Sequence, residues 1–165
     1  QRMAALAFRD PARLAPKIAF AEARGMLPLP VAGSQLRGFG VNDELGVATR
    51  GISLSTRPNA VVSSPSDAWV VYAGSFRSFG QLLILNAGNG YYILLAGMQR
   101  IDVSLNQFVL AGEPVAVMGE TAEAAAANVG AGAGEPVLYV EFRKDGVSID
   151  PTPWWKKPQS EKVRG

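Results

Sequence analysis

Short apolar segments separated by turn residues fill the middle of this 165-residue chain. They are rich in Val, Ile, Leu, Tyr and Phe, and no helical periodicity connects one to the next, which is typical of a β domain. The predicted strands are 60–63, 68–74, 81–86, 91–96, 107–110, 114–118 and 137–143. We therefore predict a domain dominated by β-structure, with a central antiparallel sheet.

Two connections between these strands carry the residues of tight hairpins. The sequence NAGNG (86–90) lies between two apolar runs, and its Asn and Gly residues tolerate positive φ. Asp145-Gly146 is placed in the same way within VEFRKDGVSI (140–149). Both pairs predict antiparallel neighbours.

Two segments depart from the β pattern. Residues 12–25 show a loose apolar stripe that ends at a glycine, which predicts a short N-terminal helical arm. The prolines of 26–33 then favour an extended chain. Residues 120–134 begin rich in alanine and end in AGAG, which indicates a helical turn or two followed by a flexible linker.

Alternation along 137–143 gives that strand two chemically different faces. Leu138, Val140 and Phe142 form an apolar face, which we assign to the core. The other face carries Tyr139, Glu141 and Arg143 beside Val137, and either a solvated face or the floor of a groove fits it. On the pattern alone, the solvated face is the ordinary reading.

The hairpin 81–96 is apolar on both faces of both strands. Leu82 and Ile84 share one face, while Leu83 and Leu85 share the other. Such strands are either buried on both sides or have one face lining an apolar groove. An exposed apolar groove usually binds a partner protein or an amphipathic helix.

The composition removes most catalytic chemistry, because the chain contains no histidine and no cysteine. A Ser-His-Asp triad, a cysteine nucleophile, a zinc site with Cys or His ligands and a disulfide are all excluded. The formal net charge of +2 gives little support for nucleic acid as a partner. No apolar run approaches the ~20 residues that span a bilayer.

Only carboxylate chemistry, lysine chemistry or no chemistry remains open. The placement of the carboxylates favours structural or solvated roles over a glycosidase-like pair. Nothing in the sequence brings two of them together; those considered are Glu113, Glu120, Glu123, Glu135 and Glu141. Trp154 and Trp155 precede Lys156 and Lys157, and this group favours packing of the terminal strand over stacking on a sugar.

Over about 100 residues, the glycines and apolar spacing resemble the LytM/lysostaphin-type zinc endopeptidase domain. Its motifs run H-x-G-x-D, Y-x-H-L, V-x-x-G-x-x-V and L-H-F-E-V-R followed by D-P. The corresponding segments here are TRGIS (49–53), LLAGM (94–98), the stretch 101–119, and EPVLYVEFRKDGVSIDP (135–151). The resemblance implies a LytM-like domain of two β-sheets with a groove.

The metal-binding and catalytic residues of that family are missing from these segments. The histidine and aspartate of H-x-G-x-D fall at Thr49 and Ser53, and the histidine of Y-x-H-L falls at Gly97. The last motif begins H-L-H in the family, and its two histidines fall at Val137 and Tyr139. These side chains do not form a zinc site at neutral pH, so we expect no cofactor and no peptidase activity.

Degenerate LytM domains of this kind resemble the EnvC-type murein hydrolase activators. The L-Y-x-E-x-R form of the last motif is typical of them, and here it is Leu138, Tyr139, Glu141 and Arg143. The resemblance implies a non-catalytic, periplasmic activator of zinc-dependent cell-wall amidases in cell division. The former active-site groove would bind the amidase, through Arg50, Phe79, Leu82, Tyr139 and Arg143.

Alternatives and boundaries complete these expectations. A peptidoglycan-binding or scaffolding module without amidase activation is the second hypothesis, and a carboxylate-based hydrolase is a distant third. We expect 1–25 to be an arm or linker from a longer chain, 26–157 to be the degenerate LytM domain, and 158–165 to be a polar tail. Any link to a membrane would lie in regions outside this sequence.

Overall fold

A computed structural model describes residues 16, 18–42, 46–76, 80–121 and 134–156. These residues form ten β-strands and two 3₁₀ turns, Phe20–Glu22 and Thr152–Trp154. The strands are β1 Gly33–Arg37, β2 Ile52–Thr56, β3 Val61–Ser63, β4 Ala68–Ser75, β5 Gln81–Gly88, β6 Tyr91–Ile101, β7 Phe108–Val109, β8 Pro114–Met118, β9 Val137–Lys144 and β10 Val147–Ile149. The prediction of a mostly β fold with a large antiparallel sheet is confirmed.

Hydrogen bonds join all ten described strands into one antiparallel sheet, so the expected division into two sheets is wrong. The main order is β1-β2-β9-β6-β5-β4-β7, with β10 paired to β9 and β3 paired to β8. The reason is the length of β6, which extends beyond the predicted 91–96 to Ile101. Its first part pairs with β9 and its last residues pair with β8, which connects the smaller group of strands to the main sheet.

Both predicted hairpin turns are confirmed. Asn89 and Gly90 have φ of 55° and 85°, and Asp145 and Gly146 have φ of 52° and 85°. Positive φ at both central residues matches the right-handed twist of the flanking strands. The first turn joins β5 to β6 and the second joins β9 to β10. The central strands are therefore held in the register set by these turns.

The predicted helix over 12–25 is wrong for the described part of that segment, which contains only the 3₁₀ turn Phe20–Glu22. Packing against the end of the domain replaces the helix. The carbonyl of Trp154 accepts hydrogen bonds from the amides of Gly25 and Leu27. The indole Nε1 of Trp154 donates to the carbonyl of Phe20 at 2.8 Å. These contacts use backbone groups that a continuing helix would need for itself.

An aromatic cluster closes this end of the core. The Phe20 ring lies 4.9 Å from Tyr91, 5.2 Å from Phe142 and 5.2 Å from Trp154, measured between centroids. Trp154 is only 3% exposed, so the prediction that it packs is confirmed. Trp155 lies against Phe142, while Lys157 lies outside the described residues. Among the described residues, no helix is long and apolar enough to cross a membrane.

Candidate functional site

Three neighbouring strands of the sheet, β5, β6 and β9, form the floor of an apolar groove. In register, Leu82 faces Ala96, Ala96 faces Tyr139, and Leu94 faces Glu141. Because alternate residues of a strand share one side of the sheet, these side chains converge on the same surface. The groove has a volume of about 390 Å³ and is lined by Phe76, Leu82, Leu94, Ala96, Tyr139, Glu141 and Arg143.

The alternation that produces this groove is the one predicted for 137–143. Leu138, Val140 and Phe142 are fully buried on the core side of β9, while Tyr139, Glu141 and Arg143 line the groove. The hairpin of β5 and β6 shows the same division. Its core face is fully buried, through Leu83, Leu85, Ile93 and Leu95, and its other face lines the groove. Of the two interpretations of this hairpin, the groove-lining one is correct.

A buried carboxylate organises the polar end of the groove. Glu141 is 4% exposed and accepts three hydrogen bonds. The Tyr139 hydroxyl donates to Oε1 at 2.7 Å, while Arg143 Nε and Ser148 Oγ donate to Oε2 at 2.5 and 2.8 Å. Charge-assisted bonds of this kind offset the cost of removing a carboxylate from water. Glu141 therefore fixes two groove residues at once.

A second, more open depression adjoins the groove and shares Arg143 with it. This side cleft has a volume of about 600 Å³ and is lined by Phe39, Gly40, Val47, Ala48, Thr49, Arg50, Arg143, Gly146, Val147 and Ser148. Arg50 is exposed there, and no carboxylate within the described residues forms an ion pair with it. The described surface thus presents two guanidinium groups beside an apolar floor.

The structure places the five predicted binding residues as follows. Leu82, Tyr139 and Arg143 line the groove together, and Arg50 lines the side cleft. Phe79 lies outside the described residues. Sequence reasoning did not select Phe76, Leu94, Ala96 and Glu141 as binding residues. The alternation that selected Leu82 and Tyr139 also covers Leu94 and Glu141, whereas no sequence signal marks Phe76.

The positions that the resemblance assigns to metal ligands and catalytic histidines lie in β2, β6 and β9 and in the loop before β2. Ser53 of β2 pairs directly with Tyr139 of β9, and Ser53 is 6% exposed. Gly97 follows Ala96, the partner of Tyr139, and a Cβ added to it would overlap the carbonyl oxygen of Val137. Thr49 lies in the loop before β2 and lines the side cleft.

Their side chains do not suit zinc. The hydroxyls of Thr49 and Tyr139 are already engaged, since Thr49 Oγ1 donates to the carbonyl of Gly38 at 2.6 Å and Tyr139 donates to Glu141. Zinc in proteins is bound by thiolate, imidazole or carboxylate, and Gly97 and Val137 offer none of these. Within the described residues, no group of three or more His, Cys, Asp or Glu side chains could hold a metal ion.

Burial together with the hydrogen bond and negative charge of Glu141 raises the pKa of Tyr139 above its ordinary value. Above pH ~10 an unfolded chain releases the phenolic proton while the folded chain keeps it. We therefore expect this residue to make the protein progressively less stable as the pH rises above ~10. Urea unfolding of the wild type and of Tyr139→Phe should show a steeper loss for the wild type. Parallel pH dependence for the two would contradict this pKa direction.

Comparison with known proteins agrees with this arrangement. A family model described as peptidase family M23 matches residues 47–151. The murein hydrolase activator EnvC of Escherichia coli strain K12 is 28% identical over 131 residues, 79% of this chain and 29% of that protein. The murein hydrolase activator NlpD of the same strain is 28% identical over 123 residues, 74% of this chain and 29% of that protein.

A zinc-containing peptidase from Vibrio cholerae has the same fold. It superposes with a TM-score of 0.63 and 21% identity, covering 78% of this chain and 39% of that one. This chain thus spans less than a third of the two activators, at 29% of each. The likeness concerns one domain of longer proteins.

Proposed function

The chain belongs to peptidase family M23, and from that premise we propose that it is a non-catalytic activator of a cell-wall amidase, which it binds through the groove. The observation that carries the proposal is the groove itself. By the resemblance to the family, Tyr139 occupies a former ligand or catalytic position, and the groove around it is built from Leu82, Leu94 and Ala96, with Arg143 at its edge. Such a surface suits a protein segment better than a hydrolytic reaction.

The chemistry of the surface supports an amphipathic segment as the bound element. An apolar floor of leucine, alanine and tyrosine excludes water, and aromatic and arginine residues are the usual energetic centres of an interface. Arg143 lines both the groove and the side cleft, which extends the surface towards Arg50. The bound segment would therefore contact an apolar strip and two cations along one line.

Activation follows if the segment that binds the groove is the one that blocks the amidase active site. Binding then shifts the amidase towards its open form. The size of the shift is set by how much more tightly this chain binds the open amidase than the closed one. A shift from about 1% to about 99% open requires roughly 5.5 kcal/mol of that difference. No group of this chain needs to touch the peptidoglycan bond that is hydrolysed.

The names of the relatives support the cellular setting. EnvC and NlpD are both named murein hydrolase activators, and each matches most of this chain. We place the activity in the periplasm, where the peptidoglycan lies, and in the splitting of the septal wall during cell division. The partner is a zinc-dependent N-acetylmuramoyl-L-alanine amidase.

The test is release of dye from labelled peptidoglycan by a purified amidase, by this chain, and by both together. We expect no release from this chain alone, with or without added zinc, and faster release when both are present. Metal-dependent release by this chain alone would overturn the proposal. Cosedimentation with purified sacculi, without any stimulation, would favour the peptidoglycan-binding module instead.

A further inference from the structure

Glu141 is the buried charged residue of the groove, and its carboxylate contacts the two polar residues that the groove presents. Its Oε1 accepts a hydrogen bond from the hydroxyl of Tyr139, and its Oε2 accepts one from the Nε–H of Arg143. Ser148 of β10 donates to Oε2 from the neighbouring strand. With the side chain only 5% exposed, water contributes little to solvating this charge. The three donors must therefore stay in place for the carboxylate to remain buried.

These bonds also determine what the groove offers to a partner. The Tyr139 hydroxyl has a single O–H donor, which is used in the hydrogen bond to Glu141. Towards the groove, its oxygen therefore acts as an acceptor. The Arg143 guanidinium uses its Nε for Glu141, and its side chain remains 39% exposed. A guanidinium has five N–H donors, so its terminal Nη groups remain available to a partner.

We infer that Glu141 is a positioning residue, which holds the Tyr139 hydroxyl and the Arg143 guanidinium in the arrangement that the partner binds. The inference rests on the proposed function, since it concerns the same groove. Glu141 itself is buried, so it acts through these two side chains. An arginine without such a support has many rotamers, and their loss on binding opposes the association.

Replacing Glu141 by glutamine keeps the size of the side chain and removes its charge. The amide offers one oxygen in place of two, and its NH₂ group cannot accept from Arg143 or Ser148. We expect the half-maximal concentration for amidase stimulation to rise by at least about tenfold, with the maximal rate unchanged. The matched control is Glu135→Gln, the same substitution at an exposed carboxylate that accepts a hydrogen bond from Ser55 and lines neither the groove nor the side cleft. It should stay close to the wild type.

A double variant separates positioning from an independent contribution. If Glu141 acts through the guanidinium, Glu141→Gln combined with Arg143→Ala should be little worse than Arg143→Ala alone. If the fold-changes of the two single variants multiply in the double variant, the inference is overturned. An unchanged half-maximal concentration for folded Glu141→Gln would also overturn it. Circular dichroism and thermal unfolding establish whether the variants are folded.

Two measurements without any amidase keep this inference distinct from the proposed function. The Nε proton of Arg143 in the wild-type chain should exchange slowly with water in ¹⁵N NMR spectra, and rapid exchange would contradict positioning even if Glu141→Gln failed to fold. Burial and the contact with Glu141 raise the pKa of Tyr139, so ultraviolet titration should show that this pKa falls in Glu141→Gln and stays high in Glu135→Gln. If these results hold but the wild type stimulates no amidase, the proposed function fails and the positioning stands.

Discussion

Replacing Arg143 by glutamate should strongly weaken stimulation of the amidase. Arg143 lines both the groove and the side cleft, and the substitution removes its exposed Nη donors and reverses its charge. Reversing a charge within an interface costs about 3 kcal/mol, which is roughly a hundredfold in the half-maximal concentration. Dye release from labelled peptidoglycan, measured against increasing concentrations of the variant, provides the test.

The matched control reverses a charge elsewhere on the surface. Arg57 is exposed in the turn between β2 and β3 and lines neither the groove nor the side cleft, so Arg57→Glu should stimulate as the wild type does. Because a glutamate at 143 lies beside the buried carboxylate of Glu141, Arg143→Ala serves as a second variant without like-charge repulsion. A folded Arg143→Ala that stimulates at wild-type concentrations would remove Arg143 from the binding surface.

Strand positions were predictable wherever an apolar pattern was bounded by residues that favour tight turns. The run 137–143 and the hairpin 81–96 showed apolar alternation or continuity, bounded by Asn-Gly or Asp-Gly turns, and the structure has strands there. By contrast, β1 and β2 were not predicted, because GSQLR and ISLST contain few apolar residues. Ser53 and Thr56 are nevertheless buried in β2, which pairs with β9 on one side and with β1 on the other. Such a strand is stabilised by pairing with its neighbouring strands, and the local sequence does not reveal that pairing.

The site was predictable in outline for a related reason. The alternation of Tyr139, Glu141 and Arg143 gives one face of β9, but whether that face is open to water depends on what packs over it. The sequence likewise placed Glu141 among the carboxylates with no obvious partner. Its three donors come from β9 and β10, and only the turn at Asp145-Gly146 brings Ser148 beside Arg143.

Loss of the metal ligands and formation of the groove are connected through Tyr139. A histidine at this position would present a nitrogen to a metal, whereas the longer phenol reaches Glu141 and closes a hydrogen bond at 2.7 Å. The same side chain covers part of the groove floor beside Leu82 and Ala96. Tyr139 thus stands in place of a histidine, contributes apolar surface to the groove, and is hydrogen-bonded to the buried carboxylate of Glu141.

Gly97→Ala should destabilise the fold strongly. Gly97 has φ of 110° and lies where β6 stops pairing with β9 at Ala96 and begins pairing with β8 at Met98. A Cβ added there would overlap the carbonyl oxygen of Val137, which belongs to the backbone of β9. The unfavourable φ and the overlap together cost about 3 kcal/mol or more. We expect the melting temperature to fall by roughly 6–12 °C in a thermal unfolding experiment.

Gly112→Ala separates the two causes of this loss. Gly112 also has positive φ, at 85°, but a Cβ there would meet nothing within 4 Å. Its substitution should therefore cost only about 1–2 kcal/mol from the backbone conformation. Equal losses in the two variants would contradict the overlap with Val137. A greater loss for Gly97→Ala implies that histidine, with the same Cβ, cannot enter position 97 unless β9 moves. Restoring that histidine would then displace the strand that carries Tyr139, Glu141 and Arg143.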